Sequence, residues 1–126
     1  MPVLTQPPSM GDLLKYELNP NYTRESVTLL AGTNYPSGAV LGVVTASGKY
    51  TLSPATGTDG SEVAAAVLIE AVDASAADAT GLVIVRGPAL LSKAVLVVDA
   101  TVDDAAKLAT KHGELIALGL VPRDAA

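Results

Sequence analysis

Residues 64–91, AAAVLIEAVDASAADATGLVIVRGPALL, hold two apolar runs that decide the fold. The runs are Val67–Val72 and Leu82–Val85, and the small and polar residues of a predicted turn, Asp73–Gly81, separate them. A strand that is apolar along nearly its whole length needs cover on both faces, or a partner chain over one of them. We therefore place these two strands at the centre of a small β-rich domain.

Four further strands are predicted around this pair, because turn residues bound each of them. They are Arg24–Leu30, Ala39–Thr45, Lys49–Leu52 and Leu90–Val98. The tight turn at residues 46–48 joins the second and third of these strands into a hairpin. About six or seven short strands with turn signals between them are typical of a compact sandwich or a barrel-like sheet.

One helix is predicted near the end of the chain, at residues 102–118. Thr101 is the predicted N-cap, and Asp103 and Asp104 suit the positive end of the helix dipole. Gly119 fits the left-handed position that follows a helix. Apolar spacing of three or four predicts one buried stripe, formed by Ala105, Leu108, His112 and Leu115 or Ile116. The predicted fold class is mainly β with one C-terminal helix (α+β).

Composition excludes several classes of function. The 126 residues include 8 basic and 13 acidic side chains, for a net charge of −5, whereas binding to nucleic acid needs a basic surface. The chain has no cysteine and one histidine, which excludes disulfides, thiolate metal sites and multi-histidine sites. No apolar run reaches the roughly 20 residues that a membrane-spanning helix needs. We expect no nucleic-acid partner and no membrane partner.

Neither the histidine nor the clustered aspartates predict catalysis or a metal site. His112 lies on the predicted apolar stripe, where a structural role is expected, since a general base needs a positioned partner. Asp103 and Asp104 are adjacent on a helix, so they point about 100° apart and do not converge on one ion. We therefore expect no enzymatic activity, no metal and no cofactor.

Lys49 supports one alternative function. It follows the hairpin turn at Ser47 and Gly48, a position that faintly resembles the modified lysine of lipoyl or biotinyl carrier domains. The acidic or methionine residue that usually precedes that lysine is absent, and a solvated hairpin lysine is more common. A small β carrier or ligand-binding domain that uses Lys49 stays an alternative.

Residues 1–21 differ in composition from the predicted globular domain at residues 22–126. Four prolines interrupt them, and proline lacks the N–H that a helix or a central strand uses. They nevertheless carry more apolar side chains than a simple disordered tail. Two interpretations stay open, a frayed terminus and an extended arm that becomes ordered on the surface of a partner.

Several motifs, taken in order, resemble one known family. They are Gly11–Glu17 (GDLLKYE), Tyr22–Glu25 (YTRE), Gly38–Val44 (GAVLGVV), Gly48–Tyr50 (GKY), Ala64–Leu68 (AAAVL), Arg86–Ala89 (RGPA) and Leu115–Leu120 (LIALGL). In their order and spacing, these motifs resemble the phage head decoration proteins of the lambda protein D family. The resemblance covers nearly the whole chain.

The resemblance implies a structural function and a partner. Such proteins are non-enzymatic homotrimers at the three-fold and quasi-three-fold positions of the expanded phage head, where they clamp the major capsid protein against the pressure of packaged DNA. It implies a location on the outer surface of the virion, and in the host cytoplasm during assembly. It also implies a capsid-binding arm that can extend a capsid sheet, with the candidate contacts Pro7, Pro8, Met10, Leu13, Leu14 and Tyr16.

Overall fold

The computed structural model describes residues 13–17, 19–93 and 95–123. In this part of the chain ten strands and one long helix form a mainly β structure, which confirms the predicted fold class. Five of the strands close into a barrel in the order β2-β5-β4-β6-β8. Their bounds are Arg24–Leu29 (β2), Val40–Val44 (β4), Lys49–Leu52 (β5), Ala66–Leu68 (β6) and Ala79–Ile84 (β8).

Two smaller sheets and two helices complete the described structure. Thr33–Tyr35 (β3) and Val72–Ala74 (β7) form an antiparallel pair. In the sequence, β3 lies between β2 and β4, and β7 lies between β6 and β8. A three-stranded sheet has the order β1-β9-β10, formed by Leu14–Glu17 (β1), Ala89–Ser92 (β9) and Leu120–Arg123 (β10). The helices are the single turn Pro20–Thr23 (α1) and the long helix Ala105–Ala117 (α2).

The predicted central pair is present as β6 and β8, which are antiparallel with Val67 opposite Ile84 and Leu68 opposite Val83. Val67 and Ile84 lie in one apolar cluster, and Leu68 and Val83 lie in another. All four side chains have no exposed surface. Where β6 and β8 pair, both faces are thus covered within one chain, whereas Leu82, the first residue of the second run, is exposed.

The two clusters lie on opposite sides of the barrel wall. The inner cluster draws on all five barrel strands and fills the barrel; its fully buried members include Leu29, Leu41, Ala66, Leu68 and Val83. The outer cluster joins the outside of the barrel to the three-stranded sheet and α2; its members include Leu13, Val67, Ile84, Leu91, Leu115 and Leu120. Burial of these side chains is the main term that stabilises the fold.

The first apolar run does not continue as one strand. It divides into β6 and β7, and the exposed Glu70 lies between them. A carboxylate cannot lie between two covered faces without a partner, so the chain leaves the barrel at this residue. Similarly, the predicted strand Leu90–Val98 ends at Ser92, and the exposed Lys93 lies in the turn that follows.

The helix begins at Ala105, three residues later than predicted, and Asp104 rather than Thr101 is its N-cap. The Asp104 carboxylate accepts a hydrogen bond from the Lys107 amide at 2.8 Å. Thr101 is engaged elsewhere, because its hydroxyl lies 2.6 Å from the Asp99 carboxylate and accepts from the Ala55 amide at 2.9 Å.

The buried stripe of α2 also differs from the prediction. Lys111 and Leu115 are its buried residues, while Ala105 and Ile116 are exposed and His112 is half-buried. Gly119 has a φ of +84°, as predicted for the position after the helix.

The last strand, β10, was not predicted, because Pro122 lies in its middle. β10 pairs with β9 alone among the described strands and so lies at the edge of its sheet. An edge strand tolerates proline, since half of its backbone amides have no partner in the sheet.

Two glycines join β9 to the end of α2 at a distance that excludes a side chain. The Gly87 amide donates to the Leu118 carbonyl at 2.9 Å, and the Ala89 amide donates to the Gly119 carbonyl at 3.1 Å. A Cβ atom added to Gly87 would lie 1.9 Å from the Gly119 carbonyl oxygen. The backbone would have to separate there to accept any side chain.

We predict that Gly87→Ala lowers the free energy of unfolding by about 1–3 kcal/mol or more, because about 1–3 kcal/mol is the usual cost of overpacking. Gly113→Ala is the matched control, since no atom lies within 4 Å of the added Cβ and the site is an exposed helix interior. That change should stabilise the protein by roughly 0.5–1 kcal/mol. Urea unfolding of both variants tests this, and equal midpoints for the two would contradict it.

Candidate functional site

The strand β1, at the start of the described chain, belongs to the folded domain. It pairs antiparallel with β9, so that Leu14 lies opposite Leu91 and the backbone of Tyr16 lies opposite that of Leu90. Leu13, directly before the strand, is fully buried in the outer cluster, and the half-buried Leu14 packs against the same cluster. The domain therefore holds this strand by its backbone and by an apolar anchor at its N-terminal end.

The structure differs here from the predicted boundary after residue 21. Residues 13–17 are part of the domain, because the core encloses Leu13 and the sheet pairs their backbone. Of the six predicted capsid contacts, Pro7, Pro8 and Met10 lie outside the described residues, and their role stays a prediction. We call residues 1–12 the leading segment, and β1, with Leu13, is its base.

A charged cluster holds the other end of the base. The Arg24 guanidinium contacts both carboxylate oxygens of Glu17, with Nη2 2.6 Å from Oε1 and Nε 2.9 Å from Oε2. The Thr23 hydroxyl lies 2.5 Å from Oε2 of the same carboxylate. We call these three side chains, Glu17, Thr23 and Arg24, the Glu17 clasp. It joins the end of β1 to the start of β2 across the helical turn α1.

The clasp is largely removed from water, and this affects its titration. The exposed fraction is 6% for the Glu17 side chain and 19% for that of Arg24. The hydrogen bond from Arg24 lowers the pKa of Glu17 below its ordinary value; the Thr23 hydroxyl and the Arg24 charge act in the same direction, and burial opposes them. The same ion pair raises the pKa of Arg24. Both groups are therefore charged near neutral pH.

Lys49, the residue of the alternative carrier function, is paired in this structure. Its Nζ lies 2.5 Å from Oδ2 of Asp78, and the other oxygen of that carboxylate accepts from the Ala31 amide at 2.8 Å. The pair links β5 to the start of the loop after β2 and to the approach of β8. A structural ion pair is therefore sufficient to account for a lysine at this position.

His112 is half-buried on α2. Burial lowers its pKa, and the positive charge of Lys93 lowers it further, so the imidazole is neutral at pH 7. The described residues contain no group of three or more His, Cys, Asp or Glu side chains that could hold a metal ion. In the same part of the chain, no helix has the length and the hydropathy that a membrane crossing needs.

Lys111 is a buried cation that the sequence analysis missed. Its Nζ donates to Ser53 Oγ at 2.8 Å and to the Glu62 carbonyl oxygen, and it lies 3.5 Å from the carboxylate of Glu114. These contacts fasten α2 to the loop between β5 and β6. Leu108, Lys111, Leu115 and Leu118 have the spacing of a buried stripe, so burial of position 111 could have been predicted from the sequence. It was not predicted because lysine is charged.

Comparison with known proteins gives one finding. A family model described as bacteriophage lambda head decoration protein D matches residues 3–120, which is nearly the whole chain. The match includes most of the leading segment, its base, the barrel and α2. A search of curated proteins gave no significant match.

The clasp predicts a specific dependence of stability on pH. Because the pKa of Glu17 is lower in the folded than in the unfolded protein, its contribution is complete above the ordinary value of 4.5 and is lost as the pH falls through the lowered value. The difference in unfolding free energy between the wild type and Glu17→Gln should be constant from pH 7 to about 5 and should shrink below that range. Urea titrations of both proteins measure this difference. A difference that stays constant down to pH 2 would contradict the assignment.

Proposed function

The chain belongs to the bacteriophage lambda head decoration protein D family, and we propose that it binds the expanded phage head as a homotrimer and stabilises it. The match over residues 3–120 is the observation that carries this proposal. Head decoration proteins are structural proteins of the phage capsid. The proposed partner is the major capsid protein, at three-fold and quasi-three-fold sites on the outer surface, after synthesis in the host cytoplasm.

The leading segment is proposed to make the first contact with the capsid. Its twelve residues, if extended, reach up to about 40 Å from Leu13. Pro7 and Pro8 favour an extended backbone, and Met10 is a flexible apolar contact. A segment of this kind can add a strand to the edge of a capsid sheet, where its free N–H and C=O groups find partners.

Leu13 and Leu14 have a different part in this proposal from Pro7, Pro8 and Met10. Release of Leu13 from the outer cluster would leave a cavity in the core, which costs about 2–5 kcal/mol for a leucine truncated to alanine. Capsid binding that kept Leu13 in place would avoid this penalty. The residues of the base are therefore proposed to carry the leading segment, and those before it to contact the capsid.

A trimer carries three leading segments, so the capsid could be bound tightly even if each segment binds weakly. Ordering a segment costs roughly 1–2 kcal/mol per residue in backbone entropy, so one leading segment should bind weakly. Once one is bound, the effective concentration of the others is near millimolar, and avidity can add about 10²–10⁴-fold. Binding would depend on expansion of the head, because three segments can bind together only when three sites have the right separation. The net charge of −5 suits an outer surface rather than one that faces DNA.

We predict that deletion of residues 1–12 leaves a folded protein that no longer binds expanded capsids. Deletion to residue 18 is not a clean test, because it also removes Leu13 and β1 from the core. Co-sedimentation with empty expanded capsids measures binding, and circular dichroism confirms the fold of the shortened protein. If the shortened protein co-sediments as well as the full chain, the leading segment is not the contact.

The homotrimer is tested without the capsid. Sedimentation equilibrium of the full chain should give three times the subunit mass of 12.7 kDa. The deletion of residues 1–12 should leave this threefold mass ratio unchanged, since the segment is proposed to contact the capsid and not the other subunits. A single-subunit mass at working concentrations would contradict the trimer but not the family assignment.

A further inference from the structure

The Glu17 clasp is built differently from the ion pairs on the surface of the barrel and of α2. The pairs Lys49–Asp78, Arg86–Glu25 and Lys107–Asp103 have both side chains at least one-third exposed, whereas the Glu17 side chain is 6% exposed. A buried ion pair adds little net stability compared with well-packed apolar side chains, because both charges lose their hydration. Such a pair instead fixes the relative position of its two side chains, because a guanidinium and a carboxylate form a planar, bidentate hydrogen-bonded pair.

The geometry is useful at this place because β1 is irregular. Its register with β9 shifts between Leu14 and Tyr16, so the ladder of hydrogen bonds is interrupted in a strand of only four residues. A one-residue slip of a strand exchanges its two faces. Leu13 anchors one end of the base in the core, and the clasp determines the position of the other end.

The clasp also connects the base to one of the two longest strands of the barrel. Arg24 is the first residue of β2, which pairs with β8 along its whole length, from Arg24 opposite Ile84 to Leu29 opposite Ala79. Thr23 is fully buried, and its carbonyl accepts from the Val85 amide at 2.9 Å. The carboxylate of Glu17 is therefore held by two residues that the barrel itself keeps in place.

We propose that the Glu17 clasp is a positioning device for capsid binding, which sets the point and the direction at which the leading segment leaves the domain. This inference rests on the proposed function. Glu17, Thr23 and Arg24 do not contact the capsid in this scheme; they act through the base. In a trimer, three fixed bases set the separation of three leading segments, and a fixed separation that matches the lattice raises the effective concentration of each.

The test compares two substitutions of the same chemistry in the full chain. Glu17→Gln removes the charge of the clasp, and Glu25→Gln removes the charge of an exposed pair, in which Glu25 Oε1 lies 2.8 Å from Arg86 Nη2. Both variants change the net charge by the same amount, so long-range attraction to the capsid changes equally. Co-sedimentation with empty expanded capsids, at a temperature where both variants are folded, should show binding about tenfold weaker for Glu17→Gln. The Glu25→Gln variant should bind like the wild type.

Hydrogen exchange separates positioning from a loss of overall stability. In Glu17→Gln, the amides of β1 should lose more protection than those of β2 and β8, which should lose only as much as the lower free energy of unfolding requires. If the barrel amides lose protection equally and binding falls only with the folded fraction, the clasp is merely structural and the inference is overturned. If Glu17→Gln binds like the wild type while the deletion of residues 1–12 does not bind, the proposed function stands and the positioning role is wrong. If the wild type itself does not bind, the proposed function fails.

A second variant keeps the test decisive if Glu17→Gln does not fold. Thr23→Val preserves the buried volume and removes the hydroxyl, which contacts Oε2 of Glu17 and also lies 3.0 Å from the Asn19 carbonyl oxygen. We expect its capsid binding to be about two- to threefold weaker, since one of the clasp contacts is lost and the ion pair stays. Unchanged binding in a folded Thr23→Val, together with unchanged exchange of the β1 amides, would overturn the inference.

Discussion

The short strand β9 is the constraint on which the rest of the structure depends, because both ends of the described chain pair with it. β1 lies on one side of β9 and β10 on the other. Strands this short are not stable as a pair in water, so each needs the three-stranded sheet and its apolar face. That face supplies Leu91 and Leu120 to the outer cluster, which also contains Leu13, directly before β1, and which covers the outside of the barrel. The sheet that β9 holds together thus covers the outer face of the central pair β6 and β8, together with Leu115 of α2.

This arrangement attaches the leading segment to a well-packed part of the domain. The leading segment is attached to the domain where Leu13 enters the core and where β1 pairs with the sheet. The Glu17 clasp then connects this point to the barrel. In the proposed trimer, a fixed point of attachment would keep three leading segments at a constant separation, so that they could bind the capsid together.

Much of the fold could be predicted because it follows from short-range patterns. The runs around Val67 and Leu82 indicated a pair of strands covered on both faces, and the structure confirms two clusters on the two faces of that pair. The candidate site was less predictable. β10 was not predicted because it contains Pro122, and Lys111 was not assigned to the buried stripe because it is charged. β1 was not assigned to the domain because prolines interrupt the first 21 residues. β1 and β10 both pair with β9, and Lys111 contacts Ser53 and Glu62; these partners are distant in sequence, and no local pattern identifies them.

The amino-acid sequence by itself determined the mainly β class, the helix near the C-terminus, the acidic balance and the resemblance to head decoration proteins. The first three depend on composition and on spacing of two to four residues, and the resemblance depends on the order of motifs along the chain, so all four can be predicted without knowing which segments meet. The tertiary structure alone decided that the barrel is closed, that Leu13 is a core residue, and that Glu17 faces Thr23 and Arg24. These properties depend on contacts between segments that only folding brings together, and the physical reason is that burial and charge pairing act over distance in space, not along the chain.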